Sequence, residues 1–145
     1  MTYLLDTCIV SKLRKISYQP NESLKNWILS HAETGYYISA LTIGEIQYGI
    51  SKLPPSEAEK KRILEEWLLA DLTPRFANRT LPIDVHTVSI WGMMRGKQQY
   101  KGYVFPVIDS LIAATAIQHN LILATDNIHD FEKTGALLVN PCAER

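Results

Sequence analysis

Short apolar segments alternate with longer amphipathic segments along most of the chain, and this alternation constrains the fold more than any other feature. The short segments predict five strands, over residues 3–5, 36–39, 80–83, 121–125 and 137–139. The segments between them predict helices over residues 9–15, 20–31, 42–51, 56–69, 84–100 and 107–119. Short apolar strands separated by helices are typical of a parallel sheet that is covered on both faces. The pattern therefore predicts a three-layer α/β/α sandwich with a central, mostly parallel sheet.

Composition limits the classes of protein that the chain can belong to. Its 145 residues fit one domain, which we expect over residues 1–140, followed by a short C-terminal tail over 141–145. The 15 Lys and Arg residues balance the 15 Asp and Glu residues, which argues against a nucleic-acid binder that works through bulk positive charge. No apolar run approaches the ~18 residues of a membrane span, so we expect a cytoplasmic protein with no membrane partner.

Carboxylates follow the predicted strands, where sites form in parallel α/β sheets. Asp6 and Asp126 follow strands directly, Asp130 comes a turn after Asp126, Glu45 lies in the helix after the second strand, and a further acid, Asp109, lies in the first turn of the helix over 107–119. Parallel strands would bring them to one edge of the sheet, where their negative charges repel each other and raise their pKa values. A divalent cation relieves that repulsion, and ligation by carboxylates alone suits Mg²⁺ or Mn²⁺ rather than zinc. Since such ions activate water and neutralise phosphate oxygens, the joint pattern predicts phosphodiester hydrolysis.

Each acid also has an ordinary structural interpretation. Asp6 or Thr7 is a candidate cap for the helix over 9–15, and Thr42-x-x-Glu45 has the form of a capping box. The two acids that follow residue 125 suit solvated turns. Asp109 suits the first turn of its helix, but it lies on the core-facing stripe, where an uncompensated carboxylate is costly to bury.

Four segments of the sequence resemble the PIN-domain family, and within it the VapC/FitB-like toxins of prokaryotic toxin–antitoxin pairs. Residues 3–11, YLLDTCIVS, resemble the family's opening LLDTNVxS, and residues 37–49 are similar to its SxxTxxELxxG helix. Residues 109–116, DSLIAATA, resemble its DxxIAATA block, and residues 123–131, LATDNIHDF, resemble its LATRNxxDF segment. The segments occur in the family's order and span nearly the whole chain.

The resemblance implies a parallel sheet flanked by helices and metal-dependent ribonuclease activity with Mg²⁺ or Mn²⁺. Asp6, Glu45 and Asp109 match three acids of the family's site. Asp6 and Asp109 would bind metal directly, and Glu45 would complete the shell through water or position the attacking hydroxide. Hydrolysis by water would leave a 5′-phosphate and a 3′-hydroxyl without a side-chain nucleophile.

The fourth site position and its surroundings are less closely matched. Asp126 is the expected fourth catalytic and metal-binding acid, with Asp130 as the alternative. The supporting residues of the expected pocket are Thr7, Thr125, Asn127 and Asp130. Cys8 stands where the family usually has Asn, and a thiol is a poorer hydrogen-bonding group than an amide.

The resemblance also implies partners. The expected partners are an RNA substrate, a cognate antitoxin that covers the acidic cleft, and a second copy of the chain in a homodimer. Operator DNA would be bound only through the antitoxin complex. The alternatives are a non-catalytic PIN scaffold that acts through partner binding and a phosphodiesterase that acts on DNA.

Two groups of basic and aromatic residues are candidates for RNA contact, although charged helix faces are more often simply solvated. The first comprises Lys12, Arg14 and Lys15, and the second comprises Arg95, Lys97, Lys101, Tyr100 and Tyr103. The run over 60–62 lies among glutamates and is interpreted as an exposed, salt-bridged helix. Tyr48, Trp67 and Leu68 suit either a dimer face or the core, and the core is preferred for each.

Overall fold

Five parallel strands form the centre of the molecule. The computed structural model describes residues 1–143, so the last two residues of the predicted tail lie outside the described part of the chain. The strands are β1 (Tyr3–Leu5), β2 (Tyr36–Ser39), β3 (Thr80–Leu81), β4 (Ile122–Ala124) and β5 (Leu138–Val139). Each of the five predicted strands is confirmed, with ends that differ by at most two residues. The predicted parallel sheet is confirmed as well.

The strand order is β3-β2-β1-β4-β5, which places β1 at the centre of the sheet. Tyr3 lies opposite both Tyr36 of β2 and Ile122 of β4, and Leu5 lies opposite Ala124. Because all four pairings are parallel, the carboxyl ends of the strands lie along one edge of the sheet. The residues that follow β1, β2 and β4 are thereby brought together at this edge.

Helices connect the strands and cover both faces of the sheet. The α-helices of residues 1–143 are α1 (Thr7–Arg14), α2 (Glu22–Leu29), α3 (Ala40–Ser51), α4 (Ala58–Glu66), α5 (Thr73–Arg75), α6 (Val85–Tyr100), α7 (Val107–Gln118) and α8 (Ile128–Phe131). Short 3₁₀ turns lie at Glu33–Gly35, Pro55–Glu57 and Glu132–Thr134. Within the described residues, no helix has both the length and the apolar character needed to cross a bilayer.

The helix predicted over residues 56–69 divides into three parts. The α-helix ends at Glu66, a π-helix follows over Trp67–Leu72, and α5 begins at Thr73. Pro74 has no backbone N–H to donate to a regular helical ladder. The Thr73 hydroxyl instead donates to the Leu68 carbonyl at 2.7 Å. These two residues explain why the regular helix stops earlier than the apolar pattern predicts.

Two hydrophobic cores lie on opposite faces of the sheet, because successive side chains of a strand point to opposite sides. Tyr3 and Leu5 belong to one core, which is covered by α1, α2 and the π-helix region. Leu4 belongs to the other core, which is covered by α6, α7 and α8. Together with the sheet, the two helical layers make up the predicted three-layer sandwich.

The three residues assigned to the core from sequence have different surroundings. Leu68 is buried, as expected. Trp67 is half-buried at the surface, and Tyr48 is 69% exposed, so the expectation was wrong for Tyr48. Tyr48 lies on the outer side of α3, where the apolar character of the helix extends beyond the core-facing stripe.

Candidate active site

Asp6 lies at the centre of the candidate site, directly after β1. Its backbone N–H donates to the Ala124 carbonyl at 2.9 Å, which fixes it beside the end of β4. One carboxylate oxygen accepts the Thr7 N–H at 2.8 Å and caps α1, so Asp6 is the cap rather than Thr7. The other oxygen accepts hydrogen bonds from the Thr125 hydroxyl at 2.9 Å and the Cys8 thiol at 3.2 Å. Asp6 is therefore both a helix cap and a fixed, buried acid.

Burial determines the electrostatic character of Asp6. The side chain is almost wholly enclosed, and burial raises the pKa of its carboxyl above the ordinary value. The hydrogen bonds from Cys8, Thr125 and Thr7 favour the ionised form and act against that rise, while the Asp126 charge adds to it. Any positive charge placed beside Asp6 would thus be strongly favoured.

A hydroxyl pair links α1 to α3 and positions Glu45. The Thr7 hydroxyl donates to Glu45 Oε1 at 2.7 Å, and it lies 3.0 Å from the hydroxyl of the buried Thr42. The capping box Thr42-x-x-Glu45 is wrong, because α3 begins three residues earlier than expected for it. Ser39 caps α3 by accepting the Leu41 N–H at 3.0 Å. Thr42 is consequently free to support the site, a role that sequence reasoning missed.

Asp109 lies in the first turn of α7, with the buried Ile112 and Ala113 following it on the core side. Burial raises the pKa of Asp109 to about 6, and the charges of Asp6, Glu45 and Asp130 contribute to the rise. Each of these four causes acts in the same direction. The three acids predicted to form the site are thus within electrostatic reach of one another.

Asp126 is held by a cation. Lys12 Nζ lies 2.5 Å from Asp126 Oδ2, and the other carboxylate oxygen is buried without a hydrogen-bond partner among residues 1–143. Burial pushes the pKa of Asp126 upward, but the nearby Cys8 thiol and the Lys12 ammonium outweigh it and hold the pKa below its ordinary value. Asp126 lies beside Asp6 in an ionised state, and Lys12 is its ion-pair partner rather than an unpaired contact for a substrate.

Two further residues predicted near the fourth site position face the solvent. Asp130 is exposed in α8, and its charge contributes to the raised pKa of Asp109. Asn127 is exposed, and its backbone N–H donates to the Thr125 hydroxyl at 3.0 Å. Asp126 therefore adjoins the Asp6 side of the site, and Asp130 adjoins the Asp109 side.

The side chains at this edge suit a hard cation. Their potential ligands are carboxylate and hydroxyl oxygens, and the repulsion that adds to the effect of burial on the pKa of Asp109 is one that a divalent ion would relieve. The acids lie near one another but do not form a complete coordination shell. Within residues 1–143, no group of three or more His, Cys, Asp or Glu side chains is tight enough to hold a metal ion. The donor chemistry nevertheless fits Mg²⁺ or Mn²⁺.

Comparison with known families agrees with this geometry. The sequence profile of the PIN domain matches residues 3–137, which is most of the chain. This chain belongs to the PIN domain family.

Relatives of this PIN domain match it over almost its whole length. The toxin FitB of Neisseria gonorrhoeae is 34% identical over 138 residues, covering 95% of this chain and 96% of that protein. A protein named as a VapC ribonuclease, from Sinorhizobium fredii, is 29% identical over the same length, with the same coverage. The solved structure of FitAB bound to a DNA fragment has a TM-score of 0.87 at 31% identity, covering 99% of this chain and 98% of that chain.

Cys8 also lies at the acidic edge of this PIN domain. Its thiol donates to Asp6 and lies 3.7 Å from the Thr125 hydroxyl, so it occupies the same hydrogen-bonding network as the acids. Burial, together with the neighbouring Asp6 charge, raises the pKa of the Cys8 thiol far above its usual range. Cys8 therefore remains a neutral donor to Asp6 and adds no negative charge to the site.

Proposed function

We propose that this PIN domain is a ribonuclease that depends on Mg²⁺ or Mn²⁺ and acts as the toxin of a toxin–antitoxin pair. One observation carries the proposal: hydrogen bonds from Thr7 and Thr125 fix Asp6, and one from Thr7 fixes Glu45, at the edge of the sheet where burial and the charges of these two acids raise the pKa of Asp109. Acids that are close together without a counter-ion cost stability, and a bound divalent cation, which their oxygen ligands fit, would relieve that cost. The name of the Sinorhizobium fredii relative supports RNA as the substrate.

The residues of the site have distinct roles in the proposed reaction. Asp6 and Asp109 would hold the cation, with Asp126 as the fourth acid. When bound, the ion supplies Lewis acidity and neutralises charge on the scissile phosphate and the departing 3′ oxygen. Three hydrogen-bond donors hold the Asp6 carboxylate in one orientation, and the Thr125 hydroxyl is the nearer of its two side-chain donors.

Glu45 would orient the attacking water. Its Oε1 accepts the Thr7 hydroxyl, which fixes the side chain and leaves Oε2 to accept a hydrogen bond from water. In-line attack by that water displaces the 3′ oxygen and leaves a 5′-phosphate and a 3′-hydroxyl. The chain needs no side-chain nucleophile for this hydrolysis, and the Cys8 thiol is too weakly acidic to act as one.

The proposed partners follow from the relatives. FitAB has been solved bound to DNA, and FitAcB and VapBC complexes have the same fold as this chain. We infer a cognate antitoxin that covers the acidic edge, a homodimer of this chain, and operator DNA bound only through the antitoxin. The zero net charge of the chain agrees with DNA contact through the partner rather than through the toxin itself.

Cleavage of total RNA tests the proposed activity directly. Wild type is compared with Asp6→Asn and Asp109→Asn in EDTA, in Mg²⁺ and in Mn²⁺. Cleavage is expected only for wild type and only with metal, and the variants expose any contaminating ribonuclease. If all three folded, antitoxin-free proteins behave alike, the ribonuclease proposal is refuted, and binding to a partner becomes the leading function.

A further inference from the structure

A cleft of about 440 Å³ opens beside the acidic edge, between α1, α3 and α4. Thr7 and Glu45 lie at the end of the cleft that adjoins the site. We call it the basic cleft and define it by Arg14, Lys15, Lys60 and Trp67. Its volume is within the roughly 300–1,000 Å³ of typical ligand sites, and it is continuous with the position proposed for the scissile phosphate.

The cations of the basic cleft lack acidic partners. Among residues 1–143, Arg14, Lys15 and Lys60 form no ion pair, and Glu45 is the single acid that lines the cleft. The neighbouring Lys12 is different, because it is paired with Asp126. Three uncompensated positive charges therefore face one cavity in a chain whose net charge is zero. This arrangement is complementary to a polyanion.

Lys60 also corrects the sequence interpretation of the run over residues 60–62. That run was predicted to be salt-bridged, but only Arg62 among the three forms ion pairs within the described residues, with Glu59 and Glu66. Lys60 instead lines the basic cleft. The helix surface that appeared evenly charged in the sequence thus has a paired side and an unpaired side.

An aromatic side chain accompanies these cations. The Arg14 guanidinium lies 5.7 Å from the centre of the Trp67 ring, and Trp67 is half-buried. Trp67 is also the first residue of the π-helix, a rare conformation that is frequent at functional sites. Tyr18, which is 59% exposed, lies along the same cleft. Cations interleaved with aromatic rings are the combination that binds single-stranded nucleic acid.

The second basic group predicted from sequence has different surroundings. Lys97 lines a separate cavity with Ile117 and Lys133, and none of the candidate site acids lines that cavity. The Arg95 guanidinium lies over the Trp91 ring at 5.2 Å. Arg14 and Lys15 of the first group thus share a cleft with Glu45, whereas Lys97 of the second group lines a cavity that contains no site acid.

We propose that the basic cleft binds the RNA strand on one side of the scissile phosphate, with Arg14, Lys15 and Lys60 contacting phosphates and Trp67 stacking against a base. This inference rests on the proposed ribonuclease function and adds to it the path of the substrate. The cleft would hold several nucleotides in one direction. The phosphate that follows the bound nucleotides would then lie at Glu45, beside Asp6 and Asp109. Its charges, rather than the acidic edge, would supply the affinity for RNA.

Binding of a fluorescein-labelled single-stranded RNA to full-length Asp109→Asn protein in EDTA tests the proposal without cleavage. Arg14→Gln, Lys15→Gln and Lys60→Gln are each added to that reference. Each is expected to raise the Kd about threefold to tenfold, and each lost phosphate contact is expected to reduce the salt slope by about 0.7. Lys61→Gln is the matched control, since it removes the same charge from the adjacent residue and is expected to leave the Kd within about twofold.

Stacking of an RNA base on Trp67 can be measured separately by fluorescence. A set of RNAs is used, each with 2-aminopurine at a different single position. On binding the protein, the fluorescence of one of them is expected to be quenched, and Trp67→Leu is expected to abolish that quenching. Trp67→Phe retains an aromatic ring and is expected to restore part of it. Since packing alone does not quench a base, this result separates stacking from a structural role of Trp67.

Three outcomes would overturn the inference. One is an equal effect of Lys60→Gln and Lys61→Gln, which would mean that bulk charge rather than the cleft binds RNA. Another is a reference protein whose RNA binding is absent or insensitive to salt. The last concerns a variant that combines Arg14→Gln, Lys15→Gln and Lys60→Gln: if it keeps its affinity for RNA but loses affinity for the antitoxin, the cleft binds the protein partner instead. Failure of the ribonuclease proposal is separate, because metal-dependent cleavage by wild type decides it.

Discussion

Two carboxylates at opposite ends of the sheet have opposite electrostatic surroundings. Glu33 lies just before β2, and its oxygens accept hydrogen bonds from Arg75 at 2.7 and 2.9 Å and from Arg79 at 3.1 Å. These arginines lower the pKa of Glu33, with the bond from Arg75 as the largest cause. Asp109 lies at the carboxyl edge, where burial and three other acids raise its pKa to about 6.

The two ends of the sheet differ in whether their acids are paired with cations. At the amino end, Arg79 also donates to the carbonyls of Tyr36 and Arg75, so cation and acid are satisfied together and tie β2 to the segment before β3. At the carboxyl end, no cation among residues 1–143 is paired with Asp6, Glu45 or Asp109 to relieve their repulsion. Asp126 is paired with Lys12 at this end, but Asp6, Glu45 and Asp109 form no ion pair among residues 1–143, and this is where we propose that a cation binds.

The largest expected effect is a difference in RNA cleavage between variants of Asp109 and of Glu33. Asp109→Asn is expected to reduce metal-dependent RNA cleavage at least about 100-fold, because it removes a proposed ligand at the reacting centre. Glu33→Gln is the matched change at the other end of the sheet and is expected to leave the rate within about twofold. Rates measured with equal amounts of folded protein check both. Equal losses in the two variants would contradict the distinction between the ends.

Magnesium should stabilise the protein through the acidic edge. At 100 times its Kd, Mg²⁺ is expected to raise the free energy of unfolding of wild type by about 2.7 kcal/mol, since it binds the folded chain in preference to the unfolded one. Glu33→Gln should retain this increase and Asp109→Asn should lose most of it. Urea unfolding with and without Mg²⁺ provides the measurement. Stabilisation that persists in Asp109→Asn would place the ion elsewhere.

The two acids should also have opposite effects on stability without metal. Asp109→Asn is expected to stabilise the protein at pH 7.5 by about 1–2 kcal/mol, a value reduced from the full pKa shift because the site is partly solvated. Glu33→Gln is expected to destabilise it by less than about 1 kcal/mol, because Glu33 is half exposed and its ion pairs are screened. Destabilisation by both variants in EDTA would contradict the account.

The pH dependence of these effects follows from the direction of each pKa shift. The pKa of Asp109 is higher in the folded state, so its carboxyl costs nothing below about pH 4 and destabilises increasingly up to about pH 6. The advantage of Asp109→Asn should therefore appear between pH 4 and 6 and remain above that. The pKa of Glu33 is lower in the folded state, so its contribution is present at neutral pH and lost as the pH falls through its folded pKa.

The smallest expected effect concerns Cys8. Cys8→Ser keeps a donor for the Asp6 carboxylate and should change the cleavage rate by less than about threefold. Thr125→Val removes the shorter and stronger hydrogen bond to the same oxygen and should cost more. A Cys8→Ser rate lower than that of Thr125→Val would show that the thiol has a role which its geometry does not reveal.

The strands and the gathering of acids at one edge of the sheet were predictable because both depend on local pattern and topology. Apolar runs marked the five strands, and parallel strands bring the residues that follow them to one edge, which places Asp6 beside the end of β4. The core-facing position of Asp109 in its helix was also visible, since the buried Ile112 and Ala113 share its side. The spacing of apolar residues is therefore enough to predict the strands and the core-facing side of this helix.

Other features depend on contacts between distant parts of the chain. Thr42 has the sequence pattern of a cap, but the Ser39 hydroxyl caps α3, and Thr42 is paired with Thr7 across 35 residues. Lys12 appeared equivalent to Arg14 and Lys15 until its ion pair with Asp126 distinguished it. No local pattern encodes which lysine meets which acid, so the order of charges around the site required the folded structure.

The measurement that tests the central claim most directly is the titration of the Asp109 carboxyl carbon by NMR, with and without Mg²⁺. Without metal, its midpoint is expected at about pH 6, since burial and the charges of Asp6, Glu45 and Asp130 favour the protonated form. With Mg²⁺, the midpoint is expected to move to clearly lower pH, because the ion favours the carboxylate. A midpoint near 4 that Mg²⁺ leaves unchanged would contradict the claim that unpaired acids at this edge form a cation site.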